Sequence, residues 1–328
     1  MLPNEPEMSD PVYILGGGSI GLLLATRLAP VTDIVLIRRP GQHPPRCQLT
    51  LQEGELTRQI AVAQVGADAL AEPARRLIVC TKAYDALAAL RQLGARLPAD
   101  ASLLLMQNGM SSQEEILAAF PQAHIHAASS TEGAYRPAPN RVVHAGRGIT
   151  RIGRLQGQEQ DWAKLLCQGG LASETVEPIR WHLANKLRVN ALINPLTVLH
   201  DCRNGELLEQ PAARAAMQRL GEEADAVLAA AGYRFADSAF DQACAVAART
   251  ADNISSMLQD ARAGRRLELD AITGYLLQLA ERHGVAAPTH RALYQRSGFS
   301  FRQSSRHPKR LAIALTSAGK EAIAPASS

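Results

Sequence analysis

Aromatic residues are scarce: Phe, Trp and Tyr together fill 4% of 328 positions. A core built from this chain is aliphatic, and a platform for stacking nucleic-acid bases is not expected. Cysteine is scarce too. Cys47, Cys80, Cys167, Cys202 and Cys244 are scattered and odd in number. No two form a CxxC pair, which argues against a zinc knuckle or a disulfide framework and for reduced thiols. No run approaches the roughly 20 apolar residues that span a bilayer. The opening MLPNEPEMSD is polar and acidic and lacks the basic and apolar regions of a secretory signal. Nor is there a marked excess of one charge: 35 Lys+Arg against 31 Asp+Glu leave +4, too little over this length to indicate nucleic acid. HExxH and metal-spaced carboxylates are absent. The expectation is a cytoplasmic protein with no bound metal and neither a membrane nor nucleic acid as partner.

The length suits two domains, and 46% hydrophobic residues suit globular ones. Through the first half, short apolar runs alternate with helical stretches. The strand candidates are 12–15 (VYIL), 33–37 (DIVLI), 77–80 (LIVC), 102–106 (SLLLM) and 124–128 (HIHAA). This is the pattern of a parallel sheet covered on both faces. Residues 136–153 predict short antiparallel strands at the sheet's edge, followed by a helix near 158–168 and a strand near 172–176. Beyond Pro178 the candidates are all helical: 181–192, 210–231, 237–253 and 267–283. The expected fold class is therefore α/β, a Rossmann-type doubly wound sheet followed by an all-α C-terminal domain. The expected domains are 1–177, with 1–10 as a flexible extension, and 178–328, with a partly disordered tail from about 297.

Between the first strand and its helix lies GGGSIG: Gly16, Gly17, Gly18, Ser19, Ile20 and Gly21. In G-x-G-x-x-G the first glycine makes a tight turn, the second admits a pyrophosphate to the backbone, and the third lets helix and strand pack closely. Helix N–H groups and the helix dipole then favour phosphate. An NAD site would place Asp or Glu after the second strand. Here Arg38 and Arg39 stand there, and guanidinium groups suit a 2′-phosphate, so NADP(H) is the expected cofactor. Which of the two arginines binds it stays open. Lys82, after the third strand, and Asn108, in the Asn-Gly turn after the fourth, are further candidate contacts at the carboxyl edge of the sheet. A surface lysine and an ordinary turn are the plainer readings of these two.

In the helical half, Lys186, Asn190 and Asn194 recur every four residues. On a helix they drift about 40° per step and share one face. Leu187, Val189, Leu192 and Ile193 around them are apolar. A lysine and two amides on an apolar helix are costly unless they meet a ligand or a polar cavity. Pro195 is expected to break or kink this helix directly after Asn194. Hydride transfer to a ketone needs a proton donor for the developing alkoxide, and Lys186 is the best placed; His200 and His283 are weaker candidates. Ser255 and Ser256 lie amid apolar residues. Glu268 opens an apolar helix and reads either as a helix N-terminal charge or as a site residue.

The blocks GGGSIG, TKAY, QNGM, KLRVNALINPLT, CRNGEL and NISSMLQDARAGRRLELD together resemble the ketopantoate reductase family, of the 6-phosphogluconate-dehydrogenase-like superfamily. The resemblance spans about 12–295. It implies NADPH-dependent reduction of 2-dehydropantoate to (R)-pantoate on the route to pantothenate and coenzyme A. It implies Lys186 as the catalytic lysine and Glu268 as the glutamate that orients substrate and helps place the lysine. Asn108, Asn190, Asn194 and Ser256 would form the polar shell around the substrate, with Asn253 in support. Arg38 would bind the 2′-phosphate and Lys82 would contact the cofactor. Gln107 stands where close relatives carry His, about eight residues precede the usual start, and the tail after Gly298 matches nothing. The implied partner is a small 2-keto acid, with a monomer or homodimer as the working form. Two alternatives stay open: a same-fold reductase of another 2-keto acid, and a protein that senses NADP(H) without turnover.

Overall fold

The structure, a computed structural model, describes residues 10–304, with side chains through 296. The chain divides into two compact units. One comprises residues through Gln107 and Ser112–Leu183; the other comprises Asn108–Ser111 and the chain from Ala184 onward.

The first unit is built around an eleven-stranded sheet. Its elements are β1 (Val12–Leu15), α1 (Ser19–Leu28), β2 (Ile34–Arg38), β3 (Arg46–Glu53), β4 (Leu56–Gly66), β5 (Arg76–Val79), α2 (Ala83–Gln92), β6 (Ser102–Leu105), α3 (Ser111–Ala119), β7 (His124–Ser130), β8 (Gly133–Ala138), β9 (Arg141–Gly146), β10 (Thr150–Gln156), α4 (Trp162–Gln168) and β11 (Ser173–Thr175). The spatial order is β11-β10-β7-β6-β5-β1-β2-β4-β3-β9-β8. From β7 through β5 and β1 to β2 and β4, every neighbouring pair is parallel, the doubly wound centre that the alternating pattern predicts. The two-residue period of β1 shows why both faces must be covered. Val12 and Ile14 pack with Leu22, Leu28 and Trp162 from α1 and α4. Tyr13 and Leu15 pack with Leu90 of α2 and Ile116 of α3. Each such fully buried aliphatic side chain contributes about 1.5–3 kcal/mol.

Two features depart from the expectation. The hairpin β3–β4 was not anticipated, although Cys47, Leu49 and Leu51 alternate inward and Gly54, at φ +55°, makes its turn. The region after 130 also serves both edges of the sheet. β8 and β9 lie at one end, while β10 pairs antiparallel with β7 toward the other.

The second unit is helical: α5 (Ile179–His200), α6 (Glu206–Glu209), α7 (Pro211–Ala230), α8 (Ala239–Arg249), α9 (Ser256–Arg262), a π turn (Asp270–Gly274), α10 (Tyr275–His283) and α11 (Pro288–Ser304). α5 begins in the first unit and runs through Pro195 to His200, so of the expected break or kink after Asn194 the break does not occur. Proline removes one ladder bond, but Leu192, Ile193 and Leu196 around it are all buried and hold the helix together. The helix expected over 267–283 instead opens with the π turn. The fully buried Arg188 ties α5 into this unit. It pairs with Asp237 at 2.5 Å, lies 3.5 Å from Asp225 and stacks over Phe235. Part of the expected disordered tail, through Ser304, is the end of α11; the extension at 1–9 and the tail beyond 304 lie outside the described residues.

Candidate active site

At the carboxyl end of β1 the chain turns through Gly16, at φ +109°. A Cβ on Gly21 would overlap the Gly16 carbonyl oxygen, so helix α1 can start this close to the strand only with glycine there. Gly18, the N-cap of α1, is exposed, and its added Cβ would meet nothing nearer than the Cys80 carbonyl oxygen at 3.9 Å. Ser19 and Ile20 open the helix, which has no acidic residue in its first turn and no side-chain cap. Its N-terminal dipole is therefore not neutralised locally.

Arg38 ends β2, half-buried, and comes back over the loop: a Cβ on Gly17 would overlap its Nη1. The guanidinium donates from Nε to Gln64 Oε1 at 3.1 Å and from Nη2 to Asn140 Oδ1 at 2.6 Å. Arg39 is exposed. Arg136 of β8, which drew no attention in the sequence, donates to the Gly17 carbonyl at 3.1 Å. Lys82 follows β5 as the N-cap of α2 and is half-buried.

Two buried polar atoms at this edge of the sheet have no hydrogen-bond partner: Thr81 Oγ1 and Gln107 Oε1. Thr81 packs directly against Gly16. Gln107 is anchored through Nε2, which donates to the Val79 and Thr81 carbonyls, so its oxygen is turned away from them. Buried orphans cost about 1–3 kcal/mol each, a cost that a bound ligand or water relieves. The open glycine loop, the unneutralised helix terminus and these orphans fit a dinucleotide at this edge.

In the helical unit, Lys186 and Asn190 are half-buried and Asn194 is buried, with Leu187, Val189, Leu192 and Ile193 buried beside them. The stripe is thus not a solvated face. Burial lowers the Lys186 amine from the ordinary lysine value to about 8, and the Glu268 carboxylate opposes that fall. Glu268 is buried, not a surface charge at a helix end. It stands just ahead of the π turn, its carbonyl accepting from Ile272 N–H at 3.2 Å. Asn108 belongs to the same unit. Its neighbour Gly109, at φ +81°, lies so close to the π turn that a Cβ there would overlap the Ala271 carbonyl oxygen.

Ser256 and Asn253 are both exposed. The cap of α9 is Ser255 rather than Ser256: Ser255 Oγ accepts from Leu258 N–H and pairs with Thr197 Oγ1 at 2.6 Å. Thr197 Oγ1 also donates to the Asn194 carbonyl at 2.8 Å. That relay fastens the start of α9, with Ser256, to the turn of α5 that carries Asn194. Thr197 does not stand out in the sequence, and the Ser255-Ser256 pair there gives no sign of which hydroxyl caps. His200 ends α5 and His283 ends α10, where it is exposed.

Residues 12–157 match the family model described as ketopantoate reductase PanE/ApbA, and residues 178–298 match the model of its C-terminal part. The 2-dehydropantoate 2-reductase of Shigella flexneri is 34% identical over 295 residues, which cover 87% of this chain and 93% of that protein. Among solved structures, the PanE/ApbA family ketopantoate reductase of Ralstonia eutropha has the same fold, with TM-score 0.81 at 23% identity over 90% of this chain and 100% of that one. D-mandelate dehydrogenase, solved with NADH and anilino(oxo)acetate, shares the fold with TM-score 0.80 at 20% identity, over 89% of this chain and 99% of that one. No helix among the described residues is long and apolar enough to cross a membrane.

Proposed function

The chain belongs to the ketopantoate reductase family, and on that premise we propose that it reduces 2-dehydropantoate to (R)-pantoate with NADPH, using Lys186 as the proton donor. The first unit binds the cofactor and the helical unit binds the substrate. The chemistry the bound nicotinamide would supply is a hydride for the C2 carbon of the ketone. Lys186, as its ammonium, hydrogen-bonds the carbonyl oxygen, draws charge onto it and gives up a proton as the alkoxide forms. An amine near pH 8 suits this task, being mostly protonated at neutral pH yet able to release the proton. Glu268 keeps the ammonium form favoured and orients the substrate hydroxyl. Asn108, Asn190, Asn194 and Ser256 complete the polar shell, with Asn253 in support. The cofactor is held by the loop from Gly16 to Gly21, by Lys82 and Asn108, and by Arg38 at the 2′-phosphate. The five unpaired cysteines suit a reducing, cytoplasmic setting, with small molecules as the only ligands and a monomer or homodimer as the working form.

The observation that carries the reading is the Lys186 amine on the polar stripe of an otherwise apolar helix, lowered by burial and opposed by the charge of the buried Glu268. The test is steady-state loss of NADPH absorbance with 2-dehydropantoate. Robust turnover supports the assignment, and NADPH binding without turnover on any keto acid would point to a sensor. A second reading is a reductase of another branched 2-keto acid, since the same fold serves D-mandelate dehydrogenase. A panel of keto acids ranked by kcat/KM separates the two.

A further inference from the structure

We propose that Asn140 and Gln64 are positioning residues that hold the Arg38 guanidinium without neutralising it, and thereby set the preference for the phosphorylated cofactor. This rests on the assignment of Arg38 to the 2′-phosphate.

A guanidinium carries five N–H donors. Gln64 takes the Nε one and Asn140 takes one on Nη2. Cys47 Sγ lies 3.8 Å from Nη2, a weak contact. Nη1, the nitrogen over Gly17, keeps its donors for a ligand at the glycine loop. Both amides are themselves fixed. Gln64 is buried, and its Nε2 donates to the Pro44 carbonyl at 3.0 Å, so only its oxygen can face Arg38. Asn140 forms the turn between β8 and β9 at φ +59°, a left-handed conformation that asparagine accepts more readily than most residues. Its carbonyl accepts from Thr50 N–H at 2.8 Å, which pins the turn to β3.

Charge is the decisive point. A carboxylate in place of either amide would both cancel the charge of Arg38 and compete with phosphate for its donors. Two neutral amides give orientation alone. The adjoining cleft, about 540 Å³, is lined also by His43 and Arg46 and by no acidic residue. Two arginines and no carboxylate in that lining suit an anion, and the β8–β9 hairpin becomes a part of the cofactor site.

The experiment is fluorescence titration of NADPH and of NADH into the full chain, which requires no substrate, alongside KM for each cofactor. The variants are Arg38→Ala, Asn140→Asp and Asn140→Gly; the last keeps the left-handed turn and removes only the amide. Asn140→Asp is expected to lower the Kd-based NADPH preference at least about tenfold, and Asn140→Gly by roughly three- to fivefold. In both, KM for NADPH should rise more than KM for NADH. Equal weakening of the two cofactors in both Asn140 variants would mean a merely structural role and would overturn the proposal. If Arg38→Ala abolishes the preference while both Asn140 variants retain it, the positioning role is wrong but the Arg38 assignment stands. If Arg38→Ala leaves the preference intact, the assignment itself fails, and this inference with it. Should Asn140→Asp not fold, the glycine variant decides alone.

Discussion

Lys186 should give kcat/KM an alkaline limb near pH 8. The amine is lowered from 10.5 to about 8, chiefly by burial, with Glu268 pulling in the opposite direction. The reduction consumes a proton, so the ammonium is the active form. Activity should be level below about pH 8 and fall tenfold per unit above it, to about one-hundredth at pH 10. A lysine with its ordinary value would keep activity level to about pH 10. At saturating cofactor, kcat/KM for the keto acid reports the titration of the enzyme–cofactor complex. Glu268→Gln removes the one opposing charge, so the limb should move to lower pH, by about one unit. The assay is NADPH oxidation with 2-dehydropantoate at saturating cofactor, from pH 6 to 10.5. A limb near 10.5 in the native protein, or one that moves to higher pH in Glu268→Gln, would refute the reasoning.

Other outcomes can be checked independently. Gly109→Ala must abandon φ +81° and push its Cβ away from the Ala271 carbonyl; it should cost at least about 2 kcal/mol in urea unfolding and raise KM for the keto acid, because Asn108 and the π turn shift together. Glu223 accepts hydrogen bonds from Thr289 N–H, His290 N–H and His290 Nδ1. Burial pushes its carboxyl up, but these bonds prevail and lower it to about 2. Its folded value lies below its unfolded one, so its stabilisation is complete above about pH 4.5 and is lost as pH falls toward 2. Glu223→Gln should flatten that part of the acid-unfolding curve, by on the order of 2–3 kcal/mol; an unchanged curve would remove Glu223 from the acid response.

The parallel sheet covered on both faces was legible because β1 is a run of apolar and aromatic residues and β5 and β6 are aliphatic after their first residues, Arg76 and Ser102, which in water demands cover on both faces. The hairpin β3–β4 was not, since its outward positions, such as Gln48 and Thr57, are polar and its inward alternation is diluted. Pro195 misled for a related reason: a local rule about one missing hydrogen bond is overridden by burial of the residues around it. In the site, the spacing of Lys186, Asn190 and Asn194 was readable from helical geometry. The buried partnership of Lys186 with Glu268, 82 positions apart in numbering, depends on tertiary packing that no local pattern encodes. The same holds for Asn140 beside Arg38 and for Ser255 beside Thr197.

The most direct test of the central claim is Lys186→Ala, with turnover and cofactor binding measured on the same preparation. Reduction of 2-dehydropantoate should fall by about a thousandfold or more, while NADPH binds within about twofold of the native affinity. Turnover that survives the loss of this amine would contradict the account.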